Sequence, residues 1–426
     1  MENLTYDDIF GELVKNSYHG DFAENTKKLN PKGESHLNQY IKYASGQGKK
    51  NKVVFKVKDC LPPGACEKDN CQVACLFHAI SRNESGEIVI KEDYCTDCGK
   101  CIEACDYGCL VDKKEFIPLI NILQDRNMPV FAIVAPAFIG QFGPDVSPGK
   151  LRLALKRLGF YGMVEVALFA DILTLKEALE FDIHVRKEGD FVLTSCCCPI
   201  WVAMIEKVYN RLIPYVSPSV SPMVACGRGI KKLHPGAKVV FIGPCVAKKT
   251  EAKEPDVKDA VDAVLTFKEL RIIFEAVGIK PELQKEEFSE HSSRAGRIYA
   301  RTGGVSKAVA ETLNRIRPER GIKIKAVQAD GVRECKKILQ DALDGKIEAA
   351  NFYEGMGCIG GCVGGPQAII ATELGQKQVN DYGQEAEHAT PADNLYVLEL
   401  LKTLGVQEID QLLEGEKASM FIREFK

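Results

Sequence analysis

Three cysteines stand side by side at Cys196-Cys197-Cys198, in the segment TSCCCPIW. Successive side chains point in different directions, so one packing environment cannot bury all three thiols alike. The triplet is therefore more than core filling. Two further cysteine motifs lie downstream, GPCVAKKTE around Cys245 and EGMGCIGGCVGG with Cys358 and Cys362, and a cysteine-rich block lies upstream between Cys60 and Cys105. Seventeen cysteines in a secreted chain would suggest disulfides. Here the N-terminal MENLTYDDIFGELVKN is acidic and polar, unlike a secretory signal, and the cysteines cluster at short spacings. That combination points to thiolate–metal ligation in a reducing compartment, and the expected location is cytoplasmic.

The remaining composition narrows the class. A length of 426 residues suits two or three domains, and 45% hydrophobic residues can fill their cores. A formal net charge of -3 offers no basic field for a nucleic acid. No apolar run reaches the ~18 residues of a membrane helix, and the best candidate, MPVFAIVAPAFIG, is broken by Pro136. Residues 1–50 read as an extension with one short helix near Tyr6–Asn16, otherwise loose and solvated. Residues 51–118 form the cysteine-rich domain, with short strands in VVFKVKD and EIVIKEDY. Over residues 125–426, apolar segments such as PVFAIVAPA, FVLTSCC, AKVVFIGPC, AVDAVLTF and IKIKAVQADG alternate with helical ones. This alternation predicts an α/β domain with parallel sheets. Its cysteine motifs follow strands, where ligands gather in such folds.

Cys95, Cys98, Cys101 and Cys105 have the C-x2-C-x2-C-x3-C spacing of bacterial ferredoxins, with Asp106 in place of the usual proline. Four thiolates would also suit zinc. The preceding half, Cys60-x5-Cys66-x4-Cys71-x3-Cys75, keeps the last gap and widens the others. By the crossed pattern of that run, Cys60, Cys66, Cys71 and Cys105 hold one [4Fe–4S] cluster, with Cys109 as a possible substitute. Cys75, Cys95, Cys98 and Cys101 hold the other. Such a small α+β domain would act as a one-electron wire.

The three later motifs resemble the signatures of the [FeFe]-hydrogenase catalytic domain. VAPAFIGQFG, FADILTLKEALE, SVSPM, RTGGVSKA and ADGVRECKKIL resemble further family segments in family order, so the likeness runs from about residue 50 to 426. It implies two parallel-sheet lobes around an H-cluster, a [4Fe–4S] cube joined to a two-iron unit bearing carbon monoxide, cyanide and a bridging dithiolate amine. It assigns the cube to Cys245, Cys358, Cys362 and one cysteine of the triplet, with Cys362 as the bridge. Reading from Thr194-Ser195, the free thiol is Cys196 and the ligand Cys197. Reading back from Pro199 and Trp201, the free thiol is Cys197 and the ligand Cys198. The second register is adopted, which leaves Cys196 as an extra residue without a role.

Heterolytic hydrogen chemistry needs a metal, a nearby base and a proton route separate from the electron route. A thiol suits the first relay position. The resemblance places Cys197, Glu180, Ser217 and Glu177 in that route, and Glu177 and Glu180 share a helical face at i,i+3. A solvated helix face would explain the same acidic pair. Lys248 is implied to pair with a cyanide ligand, Met356 to pack on the two-iron unit, and Ala135 and Pro136 to approach the other cyanide. Lys248 could otherwise be a surface lysine beside Lys249. Departures from the family pattern are Gly243 for a methionine, His184 for an arginine and Met223 for a glutamine. The implied reaction is reversible hydrogen formation, with ferredoxin or a similar carrier as electron partner and maturation proteins for the two-iron unit. The alternatives are a sensory or weakly active relative and a non-catalytic iron–sulfur protein of the cytosolic cluster-assembly type.

Overall fold

A computed structural model describes residues 4–20, 28–30, 32–49, 52–60, 66, 70–125, 127–289, 291–346 and 350–425. Its strands, in chain order, are β1 (Val54–Lys56), β2 (Ile80–Arg82), β3 (Ile88–Ile90), β4 (Leu110–Asp112), β5 (Val130–Val134), β6 (Gly162–Glu165), β7 (Val192–Leu193), β8 (Lys238–Gly243), β9 (Ala263–Thr266), β10 (Ala326–Asp330) and β11 (Phe352–Met356).

Two parallel sheets organise the chain beyond residue 125. One has the order β6-β5-β8-β9 and the other β10-β11-β7. All five residues of β5 and all five of β11 are buried. Helices that cover both faces of a parallel sheet impose such continuous burial, which is why β5 reads as an apolar run rather than an alternating one. Local signals set the helix ends. Ser147 caps the Pro148–Leu158 helix through Lys150 N, and Gly159 closes it at φ 115. Thr266 and Glu269 form a capping box on Phe267–Val277. The predicted α/β architecture with parallel sheets stands.

Upstream, β1 pairs antiparallel with β4 and β2 with β3, and the two pairs enclose the short helices Asn70–Ala74 and Lys100–Glu103. The N-terminal segment differs from the solvated extension that the sequence suggests. Its helix, Tyr6–Tyr18, buries Ile9, Phe10, Leu13 and Val14 and packs on the Phe267–Val277 helix, with a second helix at Ser35–Ala44 beside it. The spacing of those four residues places them on one helical stripe. Flanking lysines and acids obscured that stripe in a polar stretch.

A buried charge cluster joins these three parts. Lys249 Nζ donates to Asp112 Oδ2 at 2.7 Å, Glu269 Oε1 at 2.6 Å and Lys113 O at 2.8 Å. Lys114 lies 3.0 Å from Asp112, 3.6 Å from Glu269 and 3.7 Å from Asp7, and Tyr6 donates to Asp112 O at 2.7 Å. Removing one partner leaves a buried charge uncompensated. Lys249→Met is therefore expected to lower unfolding free energy by roughly 3–5 kcal/mol, measured by anaerobic chemical denaturation. A loss of under ~1 kcal/mol would show that the cluster contributes nothing to joining the parts.

Candidate active site

The cysteine motifs of residues 190–365 meet at the carboxyl ends of the two parallel sheets. Cys196–Cys198 follow β7, Cys358 follows β11, and Cys245 follows β8. Ser195 takes a left-handed backbone at φ 71, and Cys198 N returns to Ser195 O at 3.0 Å. This tight turn sends the three thiols in different directions. Cys198 starts the Pro199–Lys207 helix, and its Sγ accepts from Gly357 N at 3.3 Å. Gly357 has no room for a side chain, since a Cβ would lie 2.6 Å from Ile200.

Cys198, Cys245, Cys358 and Cys362 lie close enough for their charges to act on one another. Desolvation pushes Cys245 up to about 12 and Cys362 up to about 11, so as free thiols they would stay neutral. Four soft donors in an apolar enclosure match the chemistry of an iron–sulfur cube, which draws thiolates out of such a setting. Ser195 Oγ is buried beside them without a protein partner. A Cβ at Gly365 would meet Pro244 O at 2.8 Å and Cys362 O at 3.0 Å, so the backbone closes tightly around this loop. The residues present fit the cluster.

Lys248 opens the short Lys248–Glu251 helix and is buried, as is Lys249, so neither is a surface lysine. Lys248 Nζ donates to Glu251 Oε2 at 2.5 Å. Burial alone would lower its pKa, but Glu251, Cys245 and Cys197 outweigh this and raise it. Ala135 directly follows β5, with its N–H on Ile242 O at 2.9 Å, and Pro136 begins the following 3-10 turn. Met356 ends β11 and is buried, its carbonyl accepting from Gly331 N at 2.8 Å. At Gly243, a Cβ would lie 2.6 Å from the Phe241 ring and 3.1 Å from Ala135 Cβ, so a side chain here would require its neighbours to shift.

The acidic pair sits on the Ala167–His184 helix, which is buried on all sides from Ala167 to Phe181. Glu177 and Glu180 are therefore interior groups, not a solvated face. Glu177 accepts from Thr194 Oγ1 at one oxygen and from Cys196 Sγ at 3.2 Å at the other. Desolvation pushes Glu177 up to about 7 against the pull of the Thr194 bond. Glu180 Oε2 accepts from Ser217 Oγ at 2.6 Å, and Ser217 bonds Ser219 Oγ at 2.9 Å. Both carboxyls line a cavity of about 340 Å³ that also touches His184, Asp190 and Ser217.

One contact departs from the sequence expectation. Cys196, which had no assigned role, is the thiol that bonds Glu177. Cys197 instead lies within electrostatic reach of Cys362, Cys198 and Lys248, with burial as the largest influence on its thiol. Thr194, Lys176 and Glu251 also enter the site without having been singled out. Their partners lie 17 residues away, four residues away and three residues away respectively, and only the last two spacings are visible as helical neighbours.

In the upstream block, Cys75, Cys95, Cys98 and Cys101 line one small cavity walled by Val54, Phe77, Ile80 and Ile90. This is the second of the two expected quartets. Cys60 and Cys105 gather around Cys109, whose N–H reaches Cys105 Sγ at 3.3 Å. Ala79 N makes the same 3.3 Å bond to Cys75 Sγ, so Cys109 takes the place of a backbone donor in the pseudo-symmetric half. Cys71 is buried next to Cys101, and the neighbours of Cys66 on both sides lie outside the described residues. The block abuts the deeper site. A Cβ on Gly99, at φ 78, would lie 2.8 Å from Val246, and Thr250 Oγ1 donates to Asp97 Oδ2 at 2.8 Å.

The family model described as "Iron only hydrogenase large subunit, C-terminal domain" matches residues 128–366. The chain belongs to this family. Among its relatives are the NADP-reducing hydrogenase subunit HndD of Solidesulfovibrio fructosivorans, 29% identical over 66% of this chain, and iron hydrogenase 1 of Clostridium pasteurianum, 29% identical over 60%. These matches span 56% and 53% of those relatives' own lengths. The cytosolic Fe-S cluster assembly factor NAR1 of Yarrowia lipolytica is 31% identical over 32% of this chain and 31% of its own. A solved [FeFe]-hydrogenase structure shares the fold with a TM-score of 0.55 at 21% identity, covering 72% of this chain and 97% of that one. Iron–sulfur ligation and an H-cluster site are family properties. Among the described residues, no helix is long and apolar enough to cross a membrane.

The raised Glu177 sets a pH dependence. Between the ordinary carboxyl range and about 7, the folded chain keeps a proton that the unfolded chain has released. Its contribution to stability therefore falls as pH rises through that window. Relative to the native chain, Glu177→Gln is expected to gain stability between pH ~5 and ~8, measured by anaerobic chemical denaturation at both pH values. A stability difference that does not change between the two pH values would show that Glu177 is an ordinary ionised carboxylate.

Proposed function

We propose that this protein is a hydrogenase that interconverts protons, electrons and H2 at an H-cluster. The observation that carries this reading is a pair of buried hydrogen bonds one helical turn apart, Cys196–Glu177 and Ser217–Glu180, whose carboxyls line one cavity. A protein that only holds a cube has no use for a buried acid–thiol chain.

Cys198, Cys245, Cys358 and Cys362 hold the cube, with Cys362 as the bridge. The two-iron unit, when bound, supplies the centre at which hydrogen is formed and split. Lys248, Met356, Ala135 and Pro136 enclose that position, and Lys248 offers an ammonium to an anionic ligand. Cys197 and Cys196 act in series: Cys197 takes the proton on the Cys362 side, and Cys196 passes it to Glu177. Glu177 is suited to this step because an acid poised near neutrality can both take and release a proton. Glu180 and Ser217 carry it to the cavity with His184 and Asp190. Electrons enter through the upstream block, a two-cluster ferredoxin-like domain at residues 51–118, and cross where Gly99 meets Val246. Its partner is a ferredoxin or similar one-electron carrier, the two-iron unit comes from maturation proteins, and the compartment is the cytoplasm.

The similarity to cluster-assembly factors favours a second reading, a cube-only protein. Infrared spectroscopy after reconstitution with clusters and a synthetic two-iron complex separates the two. Carbonyl and cyanide bands are expected, and they should vanish in Cys362→Ala. Their absence from the native chain would favour the cube-only protein. Iron analysis before two-iron insertion should give about 12 irons, three cubes.

The thiol order has its own test. Cys196→Ala and Cys197→Ser are each expected to slow turnover on the order of 100-fold while keeping the carbonyl bands, since each removes a proton-transfer group. Cys198→Ser should instead disturb the cube. Unchanged turnover in Cys196→Ala would remove Cys196 from the route.

A further inference from the structure

Lys176 has no part in the route described so far. It precedes Glu177 on the same helix, and its side chain is only 1% exposed. Its ammonium is paired with Glu180 Oε1, while Glu180 Oε2 accepts from Ser217 Oγ at 2.6 Å. Both oxygens of Glu180 are thus committed in fixed directions, one to a cation and one toward the cavity.

The other groups around Glu180 are acids, a thiol, an imidazole and hydroxyls. Glu177 and His184 lie on its own helix, Cys196 approaches from the triplet, and Asp190, held by the N–H groups of Arg186 and Lys187, lines the same cavity. Ser217 and Ser219 complete the surroundings. Two carboxyls within one helical turn in a buried site cannot both carry charge cheaply, so a nearby cation decides which of them does. The Lys176 ammonium is ion-paired with Glu180, whereas on Glu177 it acts only as a smaller charge effect without an ion pair. Glu177 instead accepts from two neutral donors, Thr194 and Cys196.

We propose that Lys176 is a positioning residue for the relay: it is the fixed counter-charge that keeps Glu180 a charged acceptor aimed at Ser217 and leaves Glu177 as the proton holder. The inference rests on the relay reading of the acidic pair. It gives the pair a direction, with a filled site next to the thiols and an open site next to the cavity. Without Lys176, Glu180 becomes a buried carboxylate with no cation in contact. Such a group takes up a proton rather than stay charged. Both sites are then filled, and protons back up at the cavity end.

The test uses the full chain carrying its cubes but not the two-iron unit, so it does not depend on turnover. Infrared spectra in H2O and D2O at pH 7 read the C=O stretch of protonated carboxyls, with bands assigned by their loss in Glu177→Gln and Glu180→Gln. The native chain is expected to show a Glu177 band and no Glu180 band. Lys176→Met should add a second band that disappears in Lys176→Met/Glu180→Gln. Lys176→Arg should keep the native pattern. A merely structural lysine would leave the bands unmoved, so a native pattern in folded Lys176→Met overturns the proposal. A Glu180 band in the native chain also overturns it, and that comparison stands even if Lys176→Met does not fold. Failure of the hydrogenase reading would appear separately, as missing carbonyl bands in the loaded protein.

Discussion

A charge buried in a protein interior must find a partner, and this constraint shapes the molecule at its two most consequential places. Moving an unpaired ion out of water costs several kcal/mol or more. The Ala167–His184 helix is enclosed on every side, yet it carries Asp171, Lys176, Glu177 and Glu180. Each has a defined partner. Asp171 accepts from the N–H groups of Ser293 and Gly296 at 2.6 and 2.9 Å, which anchors the start of the Arg294–Arg297 helix. Lower on the same helix, Glu177 and Glu180 collect the thiol and hydroxyl donors that form the proposed route. The helix is thus both a core element and the backbone of the site.

The second place is the cluster of Asp112, Lys114, Lys249 and Glu269. It lies where the N-terminal helix, the cysteine-rich block and the larger α/β unit meet. Apolar packing alone could hold these parts together but would tolerate sliding. Directed ion pairs fix the register. Register matters here because Lys249 directly follows Lys248, and because the block must present its Gly99 loop to Val246. In the proposed reading electrons cross between the two cysteine sites here, and the missing Cβ of Gly99 permits the close approach of the loops.

The family match covers residues 128–366, whereas the structure places essential support outside it. The N-terminal helix covers the Phe267–Val277 helix. The chain's last described segment returns to the site region, with Arg423 Nη2 donating to Glu254 Oε2 at 2.6 Å and Arg423 N to Pro218 O at 2.9 Å, one residue from Ser217. The relatives named differ in chain length and in what their names say they do. Their shared fold therefore supports the site without deciding the activity.

The sequence by itself determined the class of chemistry. Thiol-rich motifs at short spacings predict iron–sulfur ligation, because a ligand loop is local and its spacing is read directly. Strand–helix alternation predicted the parallel sheets for the same reason: the apolar period is a local consequence of two-sided burial. Apolar strands and capped helices such as Pro148–Leu158 were legible from side-chain pattern and cap residues. The buried β11, whose GMG is shared with a ligand loop, was less so. Only the tertiary structure decided which thiol meets Glu177. A triplet offers two registers that differ by one residue, and the contact of Cys196 with Glu177 depends on backbone geometry around the left-handed Ser195 that no spacing encodes. Burial of the acidic pair, of Lys176 and of the N-terminal helix was also decided there. An acid on a helix looks the same in sequence whether its face meets water or another helix, and only packing tells the two apart.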